Sequence, residues 1–404
     1  MSDLKLSICI PTFNRARYLE TVLAHLEEIL PQLPFETEVL VSDNASEDST
    51  QAVLEAARDR LPLRTFRQET NIGAVPNIHS VMSAAKGRYL VYLADDDRLQ
   101  PEALQSAITM LEATPSASGL YAPWQIKDLV TGEVQAQFYS QPRDVTIGQG
   151  KYAQLLEHIV EHRIYSEICI LRREAFRALH PIATDIAFWA FTIPAEYLGA
   201  GDLIYAKDPF YISVSRHFEG DTRSQLGFRD VMSAWDTYRG GLEVLYGLAL
   251  THGGLTKPDM VASYLRVHPI ERMLTALRLR VNLGADPLEN YALAARLRGL
   301  GQVDNLPVPM AQIRSTAALY FACVKLPETL RAEGVAVIGD YPEASLQQLK
   351  TFTSVPVRRV TEAEGITDRD VALDFGCEDE ALCAAAREHA LAHVTGTQLE
   401  LKFV

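Results

Sequence analysis

Tyr89-Leu90-Val91-Tyr92-Leu93-Ala94-Asp95-Asp96-Asp97 places five apolar or aromatic residues ahead of three consecutive carboxylates, with Gly87-Arg88 on the other side. The apolar run reads as a buried strand of a parallel sheet. Carboxylates this close repel one another, so a core strand that ends on three of them invites a cation. Oxygen ligands on the carboxyl edge of a sheet suit Mg²⁺ or Mn²⁺, with substrate phosphates completing the shell. Open α/β sheets bind their ligands at that edge. A solvated acidic turn is the alternative for the triplet taken alone.

Upstream, strand and helix patterns alternate. Leu6–Ile10 reads as a strand, and Leu19, Val22, Leu23, Leu26 and Leu30 then recur at helical spacing as far as Pro31. Glu38–Ser42 is a second strand, followed by Asp43-Asn44-Ala45-Ser46-Glu47-Asp48, where Asp48 or Ser49 is placed to cap the next helix. Leu63–Phe66 is a third, and Pro76 fits the first turn of the helix after it. This rhythm implies βαβ units and a parallel sheet. A dinucleotide-binding fold would need G-x-G-x-x-G after the first strand; the chain has Pro11-Thr12-Phe13-Asn14-Arg15 there.

The 404 residues carry a net charge of −14, with 48% hydrophobic and 22% charged residues. That balance argues against nucleic acid as partner and against a polybasic membrane anchor. No apolar run reaches the roughly 18 residues of a transmembrane segment, and no secretory signal pattern is seen at the start. Cys9, Cys169, Cys323, Cys377 and Cys383 lack zinc-ribbon spacing and read as reduced thiols of a cytoplasmic protein. His158 and His162 stand at i, i+4 without a third ligand nearby and read as a helix surface.

Five blocks together resemble the family-2 glycosyltransferases of the GT-A fold: Ser7–Arg15, Val41–Asp48, Asn71-Ile72-Gly73, Lys86–Tyr89 and Leu93–Asp97, in family order and at family spacing. The resemblance implies an α/β, Rossmann-like fold with a mostly parallel sheet flanked by helices. It implies a metal-dependent inverting transfer of sugar from a nucleotide-diphosphate donor, UDP-linked in the main expectation, to a glycan, lipid-linked or protein acceptor in polysaccharide biosynthesis. On this pattern Pro11, Thr12 and Arg15 contact the nucleotide. Asp43 accepts a base N–H, with an Asx turn as its alternative role. Asn71 and Gly73 approach the nucleotide. Asp95, Asp96 and Asp97 take the DxD role: ribose on Asp95 and Asp96, Mn²⁺ or Mg²⁺ on Asp95 and Asp97. Relatives often begin this motif with an aspartate where Ala94 stands, which leaves the division of labour among the three open.

Ser166–Phe176 resembles the family's strand and "RREAF" element beside the acceptor. Asp185 matches the family's general base, although the glutamate usual before it is Thr184, and a helix-capping role is the alternative. Glu196 is the reserve; placed on one helix, the two stand about three turns apart and cannot serve one site. Ser215-Arg216-His217 matches the family's terminal histidine motif, which gives His217 to the metal shell or the diphosphate and Arg216 or Arg223 to phosphate.

The expected domains are 1–227 (GT-A), 228–330 (helical) and 331–404 (a small α/β unit). Residues 123–150 read as a loop or hairpin. Arg272, Arg278 and Arg280 read as a solvated helix face. The carboxyl-terminal region is assigned no chemistry; homo-oligomerisation through it is an expectation, as is peripheral contact with the inner membrane. Two other classes compete: a non-catalytic sugar-nucleotide or glycan-binding scaffold, and a nucleotidyltransferase, which would carry a glycine-rich, lysine-containing loop after the first strand.

Overall fold

The apolar runs around the acidic triplet become strands of one sheet. β1 (Leu6–Thr12) leads to α1 (Ala16–Ile29), β2 (Thr37–Asp43) to α2 (Thr50–Ala57), β3 (Leu63–Arg67) to α3 (Ala74–Ser83), and β4 (Tyr89–Tyr92) to the triplet. The structure, a computed structural model, describes residues 4–165, 167–180, 184–221 and 231–403, apart from the side chains of 344 and 345. β1 and β2 are buried almost throughout, as strands covered on both faces must be. α1 lays Leu19, Val22, Leu23 and Leu26 on the sheet. Each such side chain contributes about 1.5–3 kcal/mol of burial.

After the triplet come β5 (Arg98–Leu99), α4 (Pro101–Ala113), β6 (Ala117–Tyr121), β7 (Trp124–Asp128), β8 (Val134–Phe138), β9 (Val145–Ile147), α5 (Tyr152–His162), β10 (Cys169–Arg172), α6 (Arg173–Leu179), α7 (Trp189–Ala200), β11 (Asp202–Tyr205) and β12 (Tyr211–Arg216). The main sheet has eight strands in the order β3-β2-β1-β4-β10-β6-β11-β9. β1 pairs in parallel with β2 on one side and β4 on the other. Strand order therefore reverses between β1 and β4, which makes their shared carboxyl edge the topological switch point where such sheets bind ligands. A second sheet, β5-β12-β7-β8, lies beyond that edge in sequence. Of the loop or hairpin expected over residues 123–150, the structure has the hairpin: β7 and β8 pair antiparallel, with Trp124 stacked on Phe138 at 4.0 Å between centroids.

Two compact units divide the chain, residues 1–224 with 236–268, and 225–235 with 269–404. The division does not fall at 227 and 330, because the expected helical region is shared between them. In the first unit Tyr238 stacks on Phe188 at 4.1 Å, and Gly240 and Gly241 lie directly against residues 186–188. In the second unit the helix Met310–Tyr320 buries Ala317, Ala318 and Leu319 in the same core as Val335 and Val337 of strand Gly334–Gly339.

That strand, β13, belongs to a four-stranded parallel sheet with β14 (Val357–Arg359), β15 (Asp370–Phe375) and β16 (Ala392–Thr395), in the order β14-β13-β15-β16. Gly339 has φ +88°, and a side chain there would meet the Phe375 carbonyl oxygen at 2.7 Å. The backbone itself closes that strand end, which is why a glycine stands at 339. The arginine face also needs correction. Arg280 is buried, donating to Asn290 Oδ1 at 3.0 Å and pairing with Glu289.

Candidate active site

The triplet sits where β4 leaves the sheet. Leu93 N still donates to the Cys9 carbonyl of β1 at 3.0 Å, and Asp97 N then closes a turn onto Ala94 O. This brings Asp95 against Thr12, whose hydroxyl donates to Asp95 Oδ2 at 2.7 Å. Arg15, at the start of α1, donates to Asp96 Oδ2 at 2.5 Å and lies 3.6 Å from Asp95 Oδ1. Thr12 and Arg15 are therefore brought to the cluster, held by the loop between them. Asn14 adopts φ 52° there, and its side chain accepts from Glu47 N at 2.7 Å. Asp48 couples the same two loops, accepting from Ala16 N and from Thr50 N and Oγ1. Pro11 lies within β1, half-buried.

Asp97 is engaged differently. Its Oδ2 accepts from the Tyr211 hydroxyl and its Oδ1 from Val214 N, both at 2.8 Å. Both oxygens thus tie the turn to β12, whereas Asp95 and Asp96 share Arg15. His217 reaches the cluster too, but its Nε2 lies 2.8 Å from the main-chain oxygen of Asp96 and its Nδ1 3.5 Å from Thr21 Oγ1. With both ring nitrogens committed, it holds the turn from behind. Arg216 pairs with Asp128 at 2.9 Å; Arg223 lies outside the described residues.

All three aspartates are buried, with 7–8% of their surface exposed. Burial, and secondarily the charge on Asp96, raises the Asp95 carboxyl from 3.8 to about 7. The folded protein thus holds a proton that the unfolded chain gives up once pH exceeds 3.8. The resulting penalty on folding is absent below that pH, grows with rising pH and is complete above about 7. Asp95→Asn is accordingly expected to stabilise the chelator-treated protein by roughly 1–4 kcal/mol at pH 8 and to change little at pH 3.5. Denaturant titrations of both proteins at the two pH values check this; equal stabilities at pH 8 would contradict it.

A buried pair of carboxylates at this edge is the donor set that a hard divalent ion takes up, so the residues fit one. Among the described residues no three His, Cys, Asp or Glu converge on one point. An ion there would take one or two protein carboxylates and complete its shell with substrate oxygens, as Mg²⁺ commonly does.

Beside the cluster, Asp43 ends β2 with no exposed surface. Its Oδ1 accepts from Ser46 N at 2.9 Å, one residue beyond the reach of the Asx turn with Asn44 expected as the alternative, and its Oδ2 accepts from Gln51 Nε2 at 2.5 Å. Gln51 presents an amide N–H to the carboxylate where a nucleobase N–H is expected. Asn71 and Gly73 are held by Asn44, which donates to Asn71 Oδ1 at 2.9 Å and to Gly73 O at 3.2 Å. Gly73, at φ +90°, makes the left-handed turn that starts α3.

Asp185 is exposed in a turn closed by a bridge between Thr184 and Ala187. It does not cap α7, whose N-cap is Phe188. Asp185 and Glu196 therefore do not share a helix. Glu196 lies on α7, and burial raises its carboxyl.

Residues 7–179 match the family model described as glycosyl transferase family 2. The amino-terminal domain belongs to glycosyltransferase family 2. Among curated relatives, the abequosyltransferase RfbV of Salmonella typhimurium is 32% identical over 110 residues, covering 27% of this chain and 33% of that protein. The poly(ribitol-phosphate) beta-N-acetylglucosaminyltransferase TarS of Staphylococcus aureus is 30% identical over 111 residues, 27% of this chain and 19% of that protein. The chain thus spans less than half the length of the relatives it matches. The structure of S. aureus TarS 1-349 in complex with UDP-GlcNAc aligns with a TM-score of 0.51 at 18% identity, covering 79% of this chain and 85% of that one. That likeness shows a shared fold, the GT-A fold.

In this family-2 domain several site residues were out of reach of sequence reasoning. Tyr211 and Val214 lie more than a hundred residues from the aspartate they hold. Glu167 was also passed over. It lies beside Tyr92, the last residue of β4, whose phenol is held well above its usual range by burial first and then by the charges of Glu167 and the three aspartates. Gly240 and Gly241 look like weak points of an ordinary helix, Trp235–His252. A Cβ on Gly240 would stand 2.0 Å from the Ile186 carbonyl oxygen, so the glycine lets the Asp185 turn rest on that helix.

Proposed function

We propose that the chain is an inverting glycosyltransferase that uses a nucleoside diphosphate-sugar donor. The observation that carries this is the buried Asp95–Asp96 pair, joined by Arg15 and Thr12 at the switch point of a family-2 domain. Asp95 and Asp96 would hold a Mg²⁺ or Mn²⁺ ion, which would supply charge neutralisation for the departing diphosphate. Thr12 and Arg15 orient these carboxylates, and Asp97, tied to β12, keeps the turn from opening. Asp43 selects a base that offers an N–H, once Gln51 has yielded its place. UDP is the expected nucleotide.

For the transfer, the acceptor hydroxyl oxygen attacks the anomeric carbon as Asp185 takes its proton. The bond from that carbon to the diphosphate oxygen breaks, and the nucleoside diphosphate leaves with the electron pair. Glu167, which faces the cluster through Tyr92, is the competing base. The acceptor is proposed to be a glycan, lipid-linked or protein hydroxyl. No helix among the described residues is long and apolar enough to cross a membrane. We keep a cytoplasmic setting, with peripheral membrane contact, within this proposal.

Calorimetry with UDP, GDP, CDP and dTDP in the presence of Mn²⁺, followed by donor hydrolysis, tests it. Affinity for at least one nucleoside diphosphate is expected to require the divalent ion; no affinity for any sinks the proposal. Gly240→Ala is expected to lower kcat about tenfold to a hundredfold, with nucleotide affinity unchanged, because it displaces the Asp185 turn and leaves the cluster alone. Steady-state kinetics beside calorimetry on the variant check that split.

A further inference from the structure

One cavity of the amino-terminal unit is left unexplained by this chemistry. It encloses about 190 Å³ between α3, α6 and α7, next to the end of β4. Engineered apolar cavities of about 150 Å³ admit a benzene ring, so the space holds a group the size of a sugar ring. Val75, Ile78 and Met82 of α3 form one wall, and Phe176, Trp189 and Ile193 form the other. Tyr92 lies in the wall as well, three residues before Asp95, so the cavity adjoins the edge where the donor's diphosphate is proposed to lie.

The polar groups on this surface are few. Tyr197 lies fully buried in this wall, with its hydroxyl beneath the surface and out of reach of a ligand. Glu167 and His79 add polar atoms. A fully hydroxylated hexose would turn several O–H groups onto the side chains of Ile78, Met82, Phe176 and Ile193, where they would lose water and gain no partner. A ring bearing a methyl or methylene in place of a hydroxyl packs there and keeps its remaining hydroxyls for Glu167 and His79.

We propose that this cavity seats the transferred glycosyl group, and that this group is a deoxysugar whose deoxygenated face lies against α3 and α7. This rests on the glycosyltransferase reading, and the test separates the two. Donors are compared in pairs that share a nucleotide and differ in one hydroxyl: UDP-glucose with UDP-6-deoxyglucose, UDP-GlcNAc with its 6-deoxy counterpart, GDP-mannose with GDP-6-deoxymannose, and dTDP-glucose with dTDP-6-deoxyglucose. The bare diphosphates serve as controls. Each is measured by competition binding and by hydrolysis with Mn²⁺.

For the nucleotide that binds, the deoxy member is expected to be preferred roughly tenfold to a hundredfold, the discrimination an apolar pocket achieves against an added hydroxyl. Ile193→Asn should reduce that ratio several-fold while leaving the affinity for the bare diphosphate unchanged. The isosteric Val75→Thr should move it the same way, which guards against misfolding of the first variant. Equal use of both members, or affinities no better than that of the bare diphosphate, overturns this inference alone. Failure of every nucleoside diphosphate to bind overturns the glycosyltransferase reading and this inference with it.

Discussion

Asp96→Asn is expected to yield a folded protein that releases nucleoside diphosphate from its donor at least about a thousandfold more slowly than the wild type. A factor of a thousand corresponds to about 4 kcal/mol of transition-state stabilisation. The amide keeps the size of the side chain and an oxygen for Arg15, so the wall between β1 and β4 survives. What it loses is the formal charge beside a diphosphate that must depart with two electrons. The variant also relieves Asp95 of the second cause of its raised carboxyl, so Asp95 should titrate below about 7 in Asp96→Asn, though burial, the larger cause, persists. Transfer rates, calorimetry with and without Mn²⁺, and the titration of Asp95 together make the test. A variant that keeps a tenth of wild-type turnover would remove Asp96 from the metal and charge-neutralising role.

The proposal of Asp96 in place of Asp97 beside the metal shows where sequence reading runs out. Five apolar residues and three carboxylates suffice to place a strand end, a sheet edge and a cation-seeking cluster. They do not say which carboxylate faces inward, because that is decided by Tyr211 and Val214 on β12, a strand whose position no local pattern announces. His217 follows the same logic. Its place near the cluster was legible from Ser215-Arg216-His217, whereas its commitment to the Asp96 main chain depends on the turn it supports.

Local signals fared better where the partner is local. A local backbone role for Asp43 was readable, although its partner is Ser46 N and not the expected turn with Asn44, while Gln51, on the next helix, was not. β8 does alternate, as Val134-Gln135-Ala136-Gln137-Phe138, but four of its five residues are exposed, so the pattern marks a hairpin strand and no core face. Gly240-Gly241 reads as a helix weakness until the carbonyls of residues 186 and 188 are seen pressed against it. Close packing of backbone on backbone leaves no mark on composition beyond the glycines themselves. The same contact explains why residues 236–268 join the amino-terminal unit when sequence pattern had assigned them to a separate helical region.

Asp185→Asn is expected to cut transfer by about a hundredfold to ten-thousandfold, the usual range for losing a general base, with nucleoside diphosphate affinity unchanged. Asp185 stands exposed on a turn, free of any capping duty at α7, so the amide should cost the fold nothing. Glu167→Gln supplies the contrast. Glu167 is exposed on the rim of the apolar cavity and shares its field with Tyr92 and the three aspartates. A carboxylate so placed could orient the donor sugar without touching the acceptor's proton, which predicts a raised KM for donor and a kcat within about tenfold of wild type. The reversed pattern, with kcat lost in Glu167→Gln and kept in Asp185→Asn, would move the base to Glu167. Glu196→Gln divides the remaining ground: its carboxyl is raised by burial on α7, and its loss should leave both constants within about twofold if it takes no proton from the acceptor. Acceptor-dependent and acceptor-free turnover must be measured separately on all three variants, since only the first needs a base to deprotonate a sugar hydroxyl.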